Sequence, residues 1–341
     1  MKNLRLLLLP FSLIYGFIVF VRNKCFDLGI FSSYKIPKKS ICVGNLSAGG
    51  TGKTPHVDLI LNHFNNKGIQ VAALSRGYGR KTKGLREVMA ESKAIEVGDE
   101  PLFYKLRHGA NTKVVVAEKR EEGIEYLLKD PNHHLTVLDD AFQHRSVQAG
   151  LNIIITEHDN LFSNDYLLPA GDLREWRSGV KRADIVIVSK CPDLSDNQKE
   201  KITDQLNFDS ERVFFSKIAY DSLIGFNNEI PKEAKNILLV TGIGNPSPLL
   251  NHLSATHSVE HLKFKDHHLF TNVDITEIHE KFGTFASRDK IIVTTEKDFM
   301  RIKDFDAVST TQSTWFYQPI TTIIDEQEKF NLLLEEYVNE I

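Results

Sequence analysis

Cysteine is scarce in this 341-residue chain. Cys25, Cys42 and Cys191 are too few and too scattered for a disulfide framework or a Cys-rich metal site, and they fit a reducing compartment. A surplus of positive charge is also missing. Lys+Arg number 42 against 45 Asp+Glu, for a net charge of −3, so nothing in the overall charge points to nucleic acid. Internal repeats and low-complexity segments are absent, and no feature implies a protein partner. With 41% hydrophobic and 26% charged residues the composition is globular. Long apolar runs are lacking apart from one, which excludes a polytopic membrane protein. The length predicts two domains.

The single apolar run opens the chain. Sixteen uncharged residues, LLLLPFSLIYGFIVFV, lie between Arg5 and Arg22. A spanning helix needs about 20, and Pro10 interrupts the first turn. The basic start fits a signal peptide, but the region around Val21-Arg22-Asn23-Lys24-Cys25 has no pair of small residues for cleavage. A retained membrane anchor is the leading expectation, with a buried core helix as its rival. Arg22, Lys24, Lys35, Lys38 and Lys39 follow the run and suit an anionic membrane surface on the cytoplasmic side.

Strand-like and helix-like segments then alternate. SICVGN (40–45), VAALS (71–75), KVVVA (113–117), LTVLD (135–139), NIIIT (152–156), DIVIVS (184–189) and VFFSKI (213–218) read as strands, most of them separated by helical patterns. Near-continuous apolar strands predict a mainly parallel sheet covered on both faces. A smaller series follows: NILLVT (236–241), VEHLKF (259–264), KIIVTT (290–295) and WFYQ (315–318). The polar segment 225–235 marks the boundary. The expected organisation is a membrane-associated helix over 1–22, a phosphate-loop domain over 23–220, a smaller α/β domain over 221–325 and a terminal helix over 326–341.

The strongest motif is Ser47-Ala48-Gly49-Gly50-Thr51-Gly52-Lys53-Thr54, between a strand and an amphipathic helix. It matches G-x-x-x-x-G-K-[ST] except for Ser47 at the first glycine. Such a loop turns backbone N–H groups onto phosphate oxygens, aims Lys53 at the β- and γ-phosphates and gives Thr54 to Mg²⁺. LTVLDD supplies the matching acids, Asp139 and Asp140. A guanine-reading motif is approached at Ser189-Lys190-Cys191-Pro192-Asp193, but its Asp comes one residue late. ATP with Mg²⁺ is therefore the expected pair. Asp99 and Glu100 open a helix after Gly98, and Arg76, Tyr78, Arg80, Arg174 and Arg177 are candidates for holding a substrate phosphate or sugar.

Seven clusters occur in order: VGNLSAGGTGKTP, SRGYGR (75–80), VGDEP (97–101), DDAFQHR (139–145), LLPAGDLRE (167–175), DHH (266–268) and TEKD (295–298). Together they resemble the tetraacyldisaccharide 4′-kinase family over nearly the whole chain, and Ser47 looks like that family's own variant. The resemblance implies transfer of the γ-phosphate of ATP to the 4′-hydroxyl of tetraacyldisaccharide 1-phosphate, giving the lipid A precursor lipid IVA. It places the enzyme at the cytoplasmic face of the inner membrane of a Gram-negative bacterium. It implies two α/β/α sandwich domains, the larger like a P-loop NTPase, joined by a two-stranded ribbon with the active site in the cleft. It gives Asp99 the part of acceptor-hydroxyl base, Glu100 that of metal ligand beside Thr54 and Asp139, and pairs His267 with Asp99. Asp140 is the alternative base, and His268 is the neighbour that could be mistaken for His267. Trp176 stands where the family pattern usually has proline. The rival readings are a membrane-associated phosphate-loop ATPase or GTPase switch and a soluble small-metabolite kinase.

Overall fold

The computed structural model describes residues 2–227, 234–286 and 289–339. The larger of its sheets has nine strands. Their spatial order is Ile320–Ile324, Val213–Tyr220, Ile185–Ser189, Leu151–Glu157, Lys39–Gly44, Leu135–Asp139, Val71–Ser75, Thr112–Val116 and Arg86–Glu87. All neighbours are parallel except the two edge pairings. The central strands are buried on both faces, as their unbroken β-branched runs require. Ile41 and Val43 face one core with the helices Lys53–Asn66, Asp99–His108 and Gln327–Asn339, while Cys42 faces the other.

A second sheet orders Ile224–Gly225, Trp315–Gln318, Lys290–Thr295, Asn236–Thr241 and Ser258–Lys263. Ile275 and Ile278 of one helix cover one face, and Leu249 and Leu253 of another cover the opposite face. The chain passes between the sheets along two antiparallel strands, Val213–Tyr220 and Ile320–Ile324, paired from Ser216↔Ile324 to Tyr220↔Ile320. Ile320–Ile324 falls in the span 221–325 expected for the smaller domain, yet it is an edge strand of the larger sheet. Ile324 is buried in the larger core, and the pairing with Val213–Tyr220 supplies its backbone hydrogen bonds. The expected boundary segment 225–235 lies partly outside the described residues.

The N-terminal helix continues past the apolar run to Asp27. One stripe of it, Ser12, Gly16 and Val19, is buried against the larger body. Contacts fix it from end to end. Arg5 reaches Asp172 at 2.9 Å, Ser12 donates to the Leu167 carbonyl at 2.9 Å and Tyr15 to that of Arg174 at 2.7 Å. Farther along, Arg22 donates to the Gln143 carbonyl at 2.8 Å and Asn23 to Glu175 at 3.1 Å. The opposite stripe, Leu4, Leu7, Phe11, Ile14 and Ile18, is exposed.

Candidate active site

The phosphate-loop motif leaves the carboxyl end of the central strand Lys39–Gly44, where ligands of open parallel sheets bind. Gly49 and Gly52 have φ of 119° and 89°, conformations closed to most side chains. Gly52 is also the N-cap of helix Lys53–Asn66 and has no side-chain cap, so the first-turn N–H groups face the loop's hollow. Side chains brace the loop from outside. Asn45 donates to the Thr51 hydroxyl at 3.0 Å, Ser189 to the Thr51 carbonyl at 2.7 Å and Lys190 to the Gly50 carbonyl at 2.6 Å. His56 sits fully buried between the Gly52 carbonyl, 2.7 Å away, and the Ser216 hydroxyl at 2.9 Å. Burial pushes its pKa down to about 4, so the ring is neutral at physiological pH.

Three acids converge on this loop. Thr54 donates its hydroxyl to Glu100 Oε1 at 2.8 Å. Burial opposes the charge on Glu100, but Lys297 beside it and the hydrogen bonds from Lys297 and Thr54 bring its pKa to about 2. Asp139 ends its strand with Oδ2 accepting from the Tyr104 hydroxyl at 3.1 Å, while its buried Oδ1 has no partner. Burial, then the charges of Glu100 and Asp140, raise Asp139 to about 7. Lys53 stands 3.6 Å from Asp140, which also takes Arg174 at 3.0 and 3.2 Å.

An unpartnered buried carboxylate oxygen, a second carboxylate and a threonine hydroxyl around a phosphate loop fit Mg²⁺, which keeps much of its shell for water and phosphate oxygens. Among the described residues no group of three His, Cys, Asp or Glu could hold a metal by itself. An ion held here would take the rest of its shell from nucleotide phosphates and water.

The smaller body contributes from across the cleft. His267 follows the strand Ser258–Lys263 in a left-handed turn with φ of 55°. Its Nδ1 lies 4.0 Å from Asp99 and 3.1 Å from Arg301 Nη2, and its ring meets Tyr78 edge-on. Arg301 makes the closer ion pair with Asp99 and is itself held by Asp298 at 3.1 Å. Lys297 donates to Glu100 Oε1 at 2.7 Å.

Ser47 through Thr54, Asp99, Glu100, Asp139, Asp140, Arg174, Tyr78 and His267 are thus brought together. Arg76 is exposed. Arg80 and Arg177 have other commitments. The Arg80 side chain is buried and its Nη2 pairs with Glu118 at 2.6 Å, and Arg177 donates to the Asp165 carbonyl at 3.1 and 2.7 Å. His268 is tied to Asp274 at 3.0 Å within its own body. Sequence reasoning missed Tyr104, Lys297 and Arg301. Lys297 lay inside a recognised motif, and Arg301 could have been found as its neighbour one helical turn on. Trp176 donates its indole N–H to the Gly16 carbonyl at 2.9 Å, seating the N-terminal helix.

A family model described as tetraacyldisaccharide-1-P 4′-kinase (LpxK) matches residues 4–339. The tetraacyldisaccharide 4′-kinase of Flavobacterium psychrophilum is 43% identical over 351 residues, covering 99% of this chain and 98% of its own. That of Bacteroides thetaiotaomicron is 41% identical, covering 98% and 93%. The crystal structure of LpxK from Aquifex aeolicus in complex with ATP is 27% identical and aligns with a TM-score of 0.77 over 98% of this chain and 99% of that one.

Proposed function

The chain belongs to the tetraacyldisaccharide 4′-kinase family, and we propose how its residues divide the work of moving the γ-phosphate of ATP to the 4′-hydroxyl of tetraacyldisaccharide 1-phosphate. The observation that carries this reading is the meeting of Lys53, Thr54, Glu100 and Asp139 at one loop with Asp99 beside them and His267 across the cleft. Residues 47–54 hold the triphosphate through backbone N–H groups, and Lys53 neutralises the transferred phosphoryl. Thr54, Glu100 and Asp139 would hold Mg²⁺, which when bound offsets charge on the β- and γ-oxygens. Asp99 accepts the proton that leaves the 4′-oxygen as the new O–P bond forms, and His267 orients that carboxylate. Arg174 and Tyr78 line the acceptor's side.

The membrane part of the reading rests on the N-terminal helix. Its contacts from Arg5 to Asn23 all go to one folded body. A helix fastened along its length cannot thread a bilayer, whereas its exposed stripe can sink into one leaflet. The helix therefore lies in the interface, facing the anionic inner-membrane surface on the cytoplasmic side, where ATP is.

The test is direct. Purified protein with Mg-ATP and tetraacyldisaccharide 1-phosphate should yield the 1,4′-bisphosphate, identified by mass spectrometry. Lys53→Ala should lose on the order of 10²-fold or more in rate while staying folded. ATP hydrolysis indifferent to lipid would favour a switch, and transfer to a soluble acceptor would favour a metabolite kinase.

A further inference from the structure

The helix Glu296–Ile302 turns two cations toward the larger body. Lys297 and Arg301 are four residues apart and share a face. Opposite them stand Asp99 and Glu100, the first two residues of helix Asp99–His108. The match is two to two across the cleft, Arg301 with Asp99 and Lys297 with Glu100.

The two cations are held differently. Arg301 is backed by the buried Asp298, which is itself fixed by the Gly242 N–H at 2.9 Å and the Thr295 hydroxyl at 2.8 Å. Among the described residues Lys297 pairs with Glu100 alone, without a backing carboxylate of its own, and its side chain is 32% exposed. It is a compact charge on a flexible stem, able to swing away. It also sits on Glu100 Oε1, the same oxygen that accepts from Thr54. An ammonium at 2.7 Å offsets the charge of this carboxylate and repels a divalent cation brought to it.

We propose that Lys297 is a tethered counter-ion of the metal site. It neutralises Glu100 and, with Arg301 on Asp99, latches the two bodies together, so that metal brought with nucleotide competes with it for that carboxylate. This rests on the reading of Glu100 as a metal ligand. It follows that Lys297 lowers the preference of the protein for metal-loaded over metal-free nucleotide. Without the ammonium that preference should rise, and a guanidinium in its place should preserve it.

The experiment uses the full chain and the β,γ-methylene analogue of ATP, which is not turned over. Its Kd is measured with Mn²⁺ and with EDTA, and the ratio of the two is compared among wild type, Lys297→Met, Lys297→Arg and Glu100→Gln. Because both values come from the same preparation, a partly unfolded variant does not change the ratio. Lys297→Met should raise the metal preference roughly three- to tenfold, the scale of one half-buried ion pair. Lys297→Arg should stay near wild type, and Glu100→Gln should lower the preference. An unchanged or lower ratio in Lys297→Met, with the Glu100→Gln loss present, would overturn the latch alone. A Glu100→Gln ratio equal to wild type would remove the metal reading of Glu100 and the latch with it.

Discussion

Two chemistry-bearing residues of the site, Asp140 and His267, hold left-handed backbone at φ of 48° and 55°. For a non-glycine residue this costs about 1 kcal/mol, which the surroundings must offset. At His267 a backbone hydrogen bond from its N–H to the Gly242 carbonyl at 3.0 Å and the edge contact with Tyr78 hold the turn. The ring is thereby presented to Asp99 and Arg301 rather than to its own domain. If Asp99 and His267 act as one unit, losing either disables it. Asp99→Ala and His267→Ala should each lower kcat by on the order of 10²–10⁴ with little change in the KM for ATP. The double variant should be little worse than the poorer single, measured by steady-state kinetics with the lipid acceptor. Fully additive losses would mean that the two serve different steps. The choice of His267 over His268 came from resemblance, since adjacent histidines look alike in a sequence. The structure supplies the physical difference, because His268 stacks on Phe264 and bonds Asp274. Arg301 was legible only through Lys297, one turn earlier on the same helix, because nothing in a lone sequence says which helix faces a cleft.

At the scale of elements, the N-terminal helix depends on one absent side chain. A Cβ at Gly16 would meet Leu167 Cδ1 at 2.5 Å and Trp176 Cζ2 at 2.8 Å. Gly16→Leu should therefore lift the helix from its seat and break the Trp176–Gly16 hydrogen bond, destabilising the fold by about 1–3 kcal/mol. Trp315 is fully buried and serves as the internal reference, so a red shift in emission would report Trp176 alone. Unchanged emission and melting temperature would show that the seat is not held in solution. The apolar run was plain in the sequence because sixteen residues without a charge stand out whatever they pack on. Its seat was not, since Ser12 and Gly16 inside such a run carry no mark of what they touch. The buried strands were legible from β-branched runs for the same reason of burial. Ile320–Ile324 was not, because Pro319 separates it by one residue from the strand Trp315–Gln318, although the two strands belong to different sheets.

For the whole molecule, the join between the two bodies is electrostatic as well as covalent. Beside the ribbon, Arg107 of the larger body reaches Glu296 of the smaller at 3.2 Å, Asp58 at 3.3 Å and the Ile320 carbonyl at 3.3 Å. Glu296 is largely buried there, and burial outweighs the pull of Arg107, raising its pKa from 4.5 to about 7. The sign of the consequence follows from proton counting. Between pH 4.5 and 7 the folded chain holds this proton while the unfolded chain has lost it. The contribution of Glu296 is therefore least unfavourable below its unfolded pKa and worsens as pH rises to about 7, above which the full burial penalty stands. Glu296→Gln removes the titration and keeps an oxygen for Arg107. The variant should be more stable than wild type at pH 8, by up to about 3 kcal/mol, with the gap narrowing through pH 6 and closing near pH 4.5. Paired calorimetric scans across that range check it. A constant gap at every pH would mean that the effect is packing rather than ionisation. A less stable variant at pH 8 would mean that the Arg107 ion pair outweighs the burial it imposes, making the join of the two bodies a charge pair in its own right.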